Sequence, residues 1–143
     1  AGYGDSDPYP SRSVKSEAFD IQELADKLQI GSKFYVIGIS MGAYPVWGCL
    51  KYIPHRHHNY PPTISCLEIT QFSAEKITQQ GDHESRFRDI LAGYAKWEFD
   101  PSDLKNPFPD NEGSVHIWRG GEDKIIPYKL NHYIAEKLPW IHY

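Results

Sequence analysis

Lys33-Phe-Tyr-Val-Ile-Gly-Ile-Ser-Met-Gly42 is the stretch whose reading decides the fold. Phe34, Val36 and Ile37 are aromatic or β-branched, and such a run reads as a buried strand. It ends in Gly38-Ile39-Ser40-Met41-Gly42, and an apolar, helix-compatible segment follows. Strand, tight turn and helix is the setting that a G-x-S-x-G nucleophile elbow requires. The serine of such a turn is held in a strained backbone conformation, with its Oγ projecting beyond the sheet edge. Strand and helix then cross so closely that side chains two before and two after the serine would collide. That assigns Gly38 and Gly42 to clearing the crossing. Ser40 is the candidate nucleophile. The amide of Met41, in the first turn of the helix, is the candidate oxyanion donor. The rival reading is a plain strand-to-helix turn whose glycines serve packing only.

Upstream, Ser13 or Ser16 can cap a helix with Glu17 in its first turn. Ile21, Leu24, Ala25 and Leu28 recur at helical spacing, and Gly31 is placed to stop the helix. A short connection then enters the strand, which is βαβ grammar and predicts a parallel sheet. Downstream, Val46, Trp47 and Leu50 share one face of the helix after the turn, and Pro54 ends it. Residues 54–63 read as a loop. His55, His57 and His58 lack the i, i+4 spacing and the nearby acid or cysteine of a metal site, so a solvated loop and no metal are expected. Residues 63–69 alternate as a short strand would. Phe87, Ile90, Leu91 and Tyr94 mark an amphipathic helix. Residues 96–113 form a long Pro/Asp/Asn loop whose length flags function, or the scar of something removed. Residues 114–119 read as a strand and 120–127 as a turn. Leu130, Tyr133, Ile134 and Leu138 read as a helix stopped by Pro139.

A chain of 143 residues with 40% hydrophobic and 14% aromatic content is expected to form one domain with a packed core. Its net charge of −4 argues against a nucleic-acid partner, and no apolar run approaches a membrane span. No signal peptide is apparent. Cys49 and Cys66 read as buried thiols rather than a disulfide framework, which points to a reducing, cytoplasmic setting. The turn-rich residues 1–12 and the incipient strand at Trp140–Tyr143 make both ends look cut.

A serine nucleophile needs a base within hydrogen-bond reach and an acid to orient that base. Asp123 follows the strand of residues 114–119, at the sheet edge where ligands bind in open α/β sheets, and is the candidate acid. Glu122 is its rival carboxylate, and a turn-capping Asp is the plainer reading. With the base last in chain order, only His132 and His142 remain, one within the predicted helix and one in the incipient last strand. Neither is a convincing base, so the chain alone is expected to be inert. The second oxyanion donor should come from an early loop that would precede Ala1.

Gly2-Tyr-Gly-Asp-Ser-Asp-Pro8, Tyr35-Val-Ile-Gly-Ile-Ser-Met-Gly42, Trp97-Glu-Phe-Asp-Pro101, Val115-His-Ile-Trp118 and Gly120-Gly-Glu-Asp123 with Pro127 together resemble the plant α/β-hydrolase superfamily, esterase-like serine hydrolases. The resemblance covers residues 1–54 and about 76–143. It implies an α/β class: a partial α/β-hydrolase fold, with a mostly parallel sheet flanked by helices and the early strands and final histidine loop missing. Residues 1–54 would carry the elbow, 55–113 a shortened cap region, and 114–143 the acid-bearing unit. Ser40 would match the nucleophile, Asp123 the triad acid and Met41 the oxyanion amide. Gly2–Pro8 would match a loop bordering the active site, and Ala43 stands where the family usually has Gly. The implied substrate is a small ester or related acyl compound, with no cofactor. The alternative is a non-catalytic remnant acting as an interaction module.

Overall fold

The computed structural model describes residues 3–57, 80–111, 113–120, 122–124 and 126–143. Helix α1, Val14–Lys27, starts at Ser13. The Ser13 hydroxyl accepts the Ser16 N–H at 3.2 Å, and the Ser16 hydroxyl accepts the Ser13 N–H at 2.9 Å. Two donors that a first turn would leave open are thus satisfied reciprocally. The helix stops earlier than its glycine suggested. Gln29 takes the left-handed conformation, with φ 54°. Its N–H donates to Asp26 O at 3.1 Å and that of Ile30 to Ala25 O at 3.0 Å, the paired bonds of a Schellman cap. Gly31 lies two residues beyond.

Helix α2, Ala43–Tyr52, packs along α1. Ala18 and Ala25 of α1 meet Cys49 of α2 and Ile53 just past it, and Phe34 closes the cluster. Small residues let the two helices approach. A Cβ on Gly48 would lie 2.5 Å from the Val14 carbonyl oxygen. Helix α3, Arg88–Tyr94, follows a wide turn at His83–Phe87. It buries Ala92 against Val14 and Tyr44, whereas Phe87, Ile90, Leu91 and Tyr94, the face expected inside, are exposed. In the same way Leu24 and Leu28 of α1 face outward while Ala25 is buried.

A charged lock joins these helices. The buried Arg12 donates from Nη2 to Ser85 O at 3.1 Å and pairs with Asp89 at 3.4 Å and Glu17 at 3.8 Å. Asp89 also accepts the Tyr44 hydroxyl at 2.6 Å and the Tyr3 hydroxyl at 3.3 Å. Removing Arg12 would leave the Asp89 and Glu17 carboxylates without their cation.

The expected α/β class, a partial α/β-hydrolase fold with a mostly parallel sheet, is not what forms. The described residues are mostly helical, and their only sheet has two strands of two residues each. Strand β1, Val115–His116, pairs in parallel with β2, Ile141–His142, and helix α4, Tyr128–Lys137, crosses between them. Residues 35–39 join no ladder among the described residues. Their neighbour Phe34 forms an isolated bridge with His57, its N–H donating to Arg56 O at 2.7 Å. A β-rich sequence becomes a strand when neighbouring backbone pairs with it along its length, and among the described residues that pairing stops at Phe34. The strand expected at 114–119 shortens to β1 for the same reason. The strand expected at 63–69, with Cys66, lies outside the described residues, as does His58. No described helix is long and apolar enough to cross a membrane.

Two stability predictions follow from the packing. Gly48→Ala forces a backbone contact apart and should cost about 1–3 kcal/mol, against about 0.5 kcal/mol or less for Gly42→Ala, whose added Cβ meets nothing within 4 Å. Urea unfolding of both variants checks the contrast. Burial, ahead of attraction by the N-terminal amine and Arg12, pushes the Glu17 carboxyl above its ordinary value. The folded chain therefore holds that proton more tightly, and its stability falls as pH rises through the carboxylate range. Glu17→Gln should match the wild type at pH below about 4 and exceed it at neutral pH. A variant weaker at neutral pH would mean that the ion pair to Arg12 outweighs burial.

Candidate active site at Ser40

The chain reaches Ser40 extended and leaves it helical. Ile39 has φ −115° and ψ 130°, Ser40 has φ 54°, and residues Ser40–Gly42 form one tight turn leading into α2. The turn is closed by the Gly42 N–H donating to Ile39 O at 2.9 Å. A left-handed conformation costs a residue with a Cβ roughly 1–2 kcal/mol, so the surrounding structure must hold it. Gly38 shows what holds it. A Cβ there would lie 2.3 Å from the Gly42 carbonyl oxygen and 2.7 Å from Val46 Cγ2. The extended segment therefore crosses the start of α2 at backbone contact, as the two-glycine pattern predicts for Gly38. Gly42 is different: its own Cβ position is open and its φ is −66°. It contributes its carbonyl to the crossing rather than an absent side chain.

The side chain of Ser40 is exposed, and its hydroxyl makes no hydrogen bond among the described residues. The Met41 N–H lies in the first turn, where amides have no intrahelical acceptor, next to the hydroxyl that a nucleophile would use. The Met41 side chain points the other way. It packs on the Val14, Tyr44 and Ala92 cluster, and its Cε would sit 3.3 Å from a Cβ on Gly93.

Asp123 lies between β1 and α4, and its carboxylate caps a turn. Oδ1 accepts the Ile126 N–H at 3.1 Å, and the Asp123 N–H donates to Gly120 O at 3.1 Å. Arg119 Nη2 donates to the Asp123 carbonyl at 3.1 Å. The rival Glu122 is exposed. No hydrogen bond joins Ser40 to Asp123 or to any histidine among the described residues.

The two histidines that satisfy chain order have other neighbours. His132 Nδ1 lies 3.1 Å from Glu136 Oε1, one turn along α4, with its ring edge-on to Tyr128. His142 stacks on His116 at a centroid distance of 4.6 Å across the β1–β2 pair. Burial, and then the charge of His142, lowers the pKa of His116. His57 is not the solvated loop residue that was expected. It is partly buried, its ring meets Phe108 at 5.8 Å, and desolvation lowers its pKa. No cluster of three metal-ligating side chains occurs among the described residues. Burial pushes the Cys49 thiol up to about 12, which fits a packing role. Arg12 carries no mark in the sequence, because its carbonyl acceptor and its nearer acid lie over seventy residues away, at Ser85 and Asp89.

If tertiary packing imposes the strain at Ser40, glycine there should be the better fit. Ser40→Gly should be more stable than Ser40→Ala by about 1 kcal/mol, measured by thermal unfolding of the two variants. Equal stability would mean that the left-handed torsion is not held in solution.

Searches against protein-family models, curated proteins and solved structures find no match to this chain. What Ser40 can do is therefore judged from its torsions and its neighbours.

Proposed function

We propose that Ser40 is the nucleophile of serine-hydrolase chemistry on carboxylic esters or related acyl compounds, and that the chain alone turns over slowly for want of a positioned base. The observation that carries this is the left-handed serine. Three described residues other than glycine have positive φ: Gln29, Ser40 and Asn111. Gln29 is held by its two cap bonds. Asn111 is of a type that tolerates this region, and its N–H closes a turn onto Phe108 O at 3.1 Å. Ser40 also lies in a closed turn, with the Gly42 N–H on Ile39 O at 2.9 Å, but it neither caps a helix end nor is of a residue type that favours this region. Its strain exposes a hydroxyl beside an open helix-start amide, the arrangement acyl transfer uses.

In this reading Ser40 Oγ adds to the ester carbonyl while its proton passes to an imidazole. The Met41 N–H takes the developing oxyanion. The alkoxide leaves with that proton, and water then cleaves the acyl-serine by the same route. Asp123 would orient the imidazole. A second reading, a non-catalytic interaction module, is favoured by a different observation. Ile37 and Ile39 are exposed, Ile39 at 71%, on a segment that no described strand pairs.

Chemical rescue separates the two. p-Nitrophenyl acetate with added imidazole should acetylate Ser40 in the wild type, as located by peptide mass spectrometry, faster than the other serines of the same chain. Without imidazole the rate should be close to that of Ser40→Ala. A Ser40 that is acetylated no faster than the other serines would sink the nucleophile reading and leave the interaction module.

A further inference from the structure

A cleft of about 320 Å³ lies between residues 10–15, helix α3 and residues 95–99, with Tyr52 of α2 closing one side. Ser40 and Asp123 are not part of it, so nothing about it rests on the chemistry proposed above. One wall is aromatic. Trp97 and Phe99 lie 5.6 Å apart between ring centroids, and Phe99 meets Tyr52 edge-on at 5.8 Å. The Trp97 indole N–H donates to Ala92 O at 3.2 Å, which fixes the ring; part of it packs on the Val14, Tyr44 and Ala92 cluster and on Phe99, and the rest lines the cleft.

The opposite character is electrostatic. The lining holds Arg12, Lys15, Arg88 and Lys96 but a single carboxylate, Glu98, in a chain whose net charge is −4. Most of these cations are already answered. Arg12 pairs with Asp89 and Glu17, Arg88 with Glu84 at 2.6 Å, and Lys15 with Glu98 at 3.9 Å. Lys96 has no carboxylate partner among the described residues. The cleft is thus left with one uncompensated positive charge beside a flat apolar wall. Its volume is at the small end of ligand sites, room for about two fused rings.

We infer that this cleft binds a small planar aromatic monoanion of the aryl-carboxylate class, its ring against Trp97 and Phe99 and its carboxylate beside Lys96. A ring without charge leaves Lys96 unanswered. A dianion such as a phosphate ester would need a second free cation, and among the described residues lining the cleft the pairing above leaves none.

Two-dimensional ¹H–¹⁵N NMR of the whole chain tests this, read at the Trp97 indole N–H after assignment by Trp97→Phe. Titration with 2-naphthoate should shift that signal saturably. The neutral 2-naphthamide should bind about three- to fivefold more weakly, the difference expected of one exposed ion pair. Acetate, which has the charge but no ring, should not shift it. Lys96→Gln, an exposed change that leaves the packing alone, should bring naphthoate down to the affinity of naphthamide. An indole signal unmoved by naphthoate overturns the inference. So do equal affinities for the two naphthalenes, or a naphthoate affinity that Lys96→Gln leaves unchanged.

Discussion

Helix α2 is approached by main chain at two points where no side chain fits. The Val14 carbonyl reaches it at Gly48, and the extended segment reaches its first turn at Gly38. Both contacts bring polar backbone against a helix at separations that a single methyl would block. Around the first contact α1 and α2 bury Ala18, Ala25, Cys49 and Ile53. Around the second the chain reverses into Ser40. The Arg12 lock then fastens α3 to this pair through Asp89 and Tyr44. Everything placed near Ser40 is placed by α2.

The same geometry explains why apolar surface stays outside. Residues 35–39 present Tyr35, Ile37 and Ile39 to solvent on a backbone that no described strand pairs. Leu24 and Leu28 of α1, the outer face of α3, and Leu130 and Tyr133 of α4 are exposed as well. These helices carry periodic apolar faces, and the two short strands among the described residues offer too little sheet to cover them. In the interior that does form, beside the larger Val14, Phe34, Leu50 and Ile53, the small residues Ala18, Ala25, Ala92 and Gly48 sit where the helices meet, because helix on helix at short distance selects for them.

What could be read from sequence divides along this line. Local chemistry was legible: the Ser13 cap, the helix after the turn, and the need for glycine at Gly38 all depend on a few adjacent residues. The sheet was not, since the β-rich segment at Phe34–Ile39 states a preference that only distant backbone can satisfy. The helical stop also escaped, because Gln29 takes the cap position with its two cap bonds, two residues ahead of Gly31, whose own φ is 119°. At the candidate site Ser40 and Met41 were marked by the G-x-S-x-G spacing. Asp123 was marked by chain order, and its turn-capping bond to Ile126 matches the plainer reading of it. Trp97 and Phe99 were noticed only as part of Trp97-Glu-Phe-Asp-Pro101 and, with Lys96, of a long loop, because a wall made by aromatics at 52, 97 and 99 has no linear signature.

The strain at Ser40 and the burial of Met41 are two sides of one constraint. The Met41 side chain is packed into the Val14, Tyr44 and Ala92 cluster, and Ala43 already begins a regular helix. Gly38 is pinned at backbone contact with Gly42. Between these fixed ends the change from the extended Ile39 to the helical Gly42 runs through Ser40, which takes φ 54°. Relaxing Ser40 would require withdrawing Met41 from the cluster or opening the Gly38 crossing, and both cost packing at the centre of the molecule. The hydroxyl is therefore directed outward by the core beneath it. That core also carries Ala92, to whose carbonyl the Trp97 indole is tied on the far side. One packed cluster thus positions both the strained serine and the aromatic wall of the cleft.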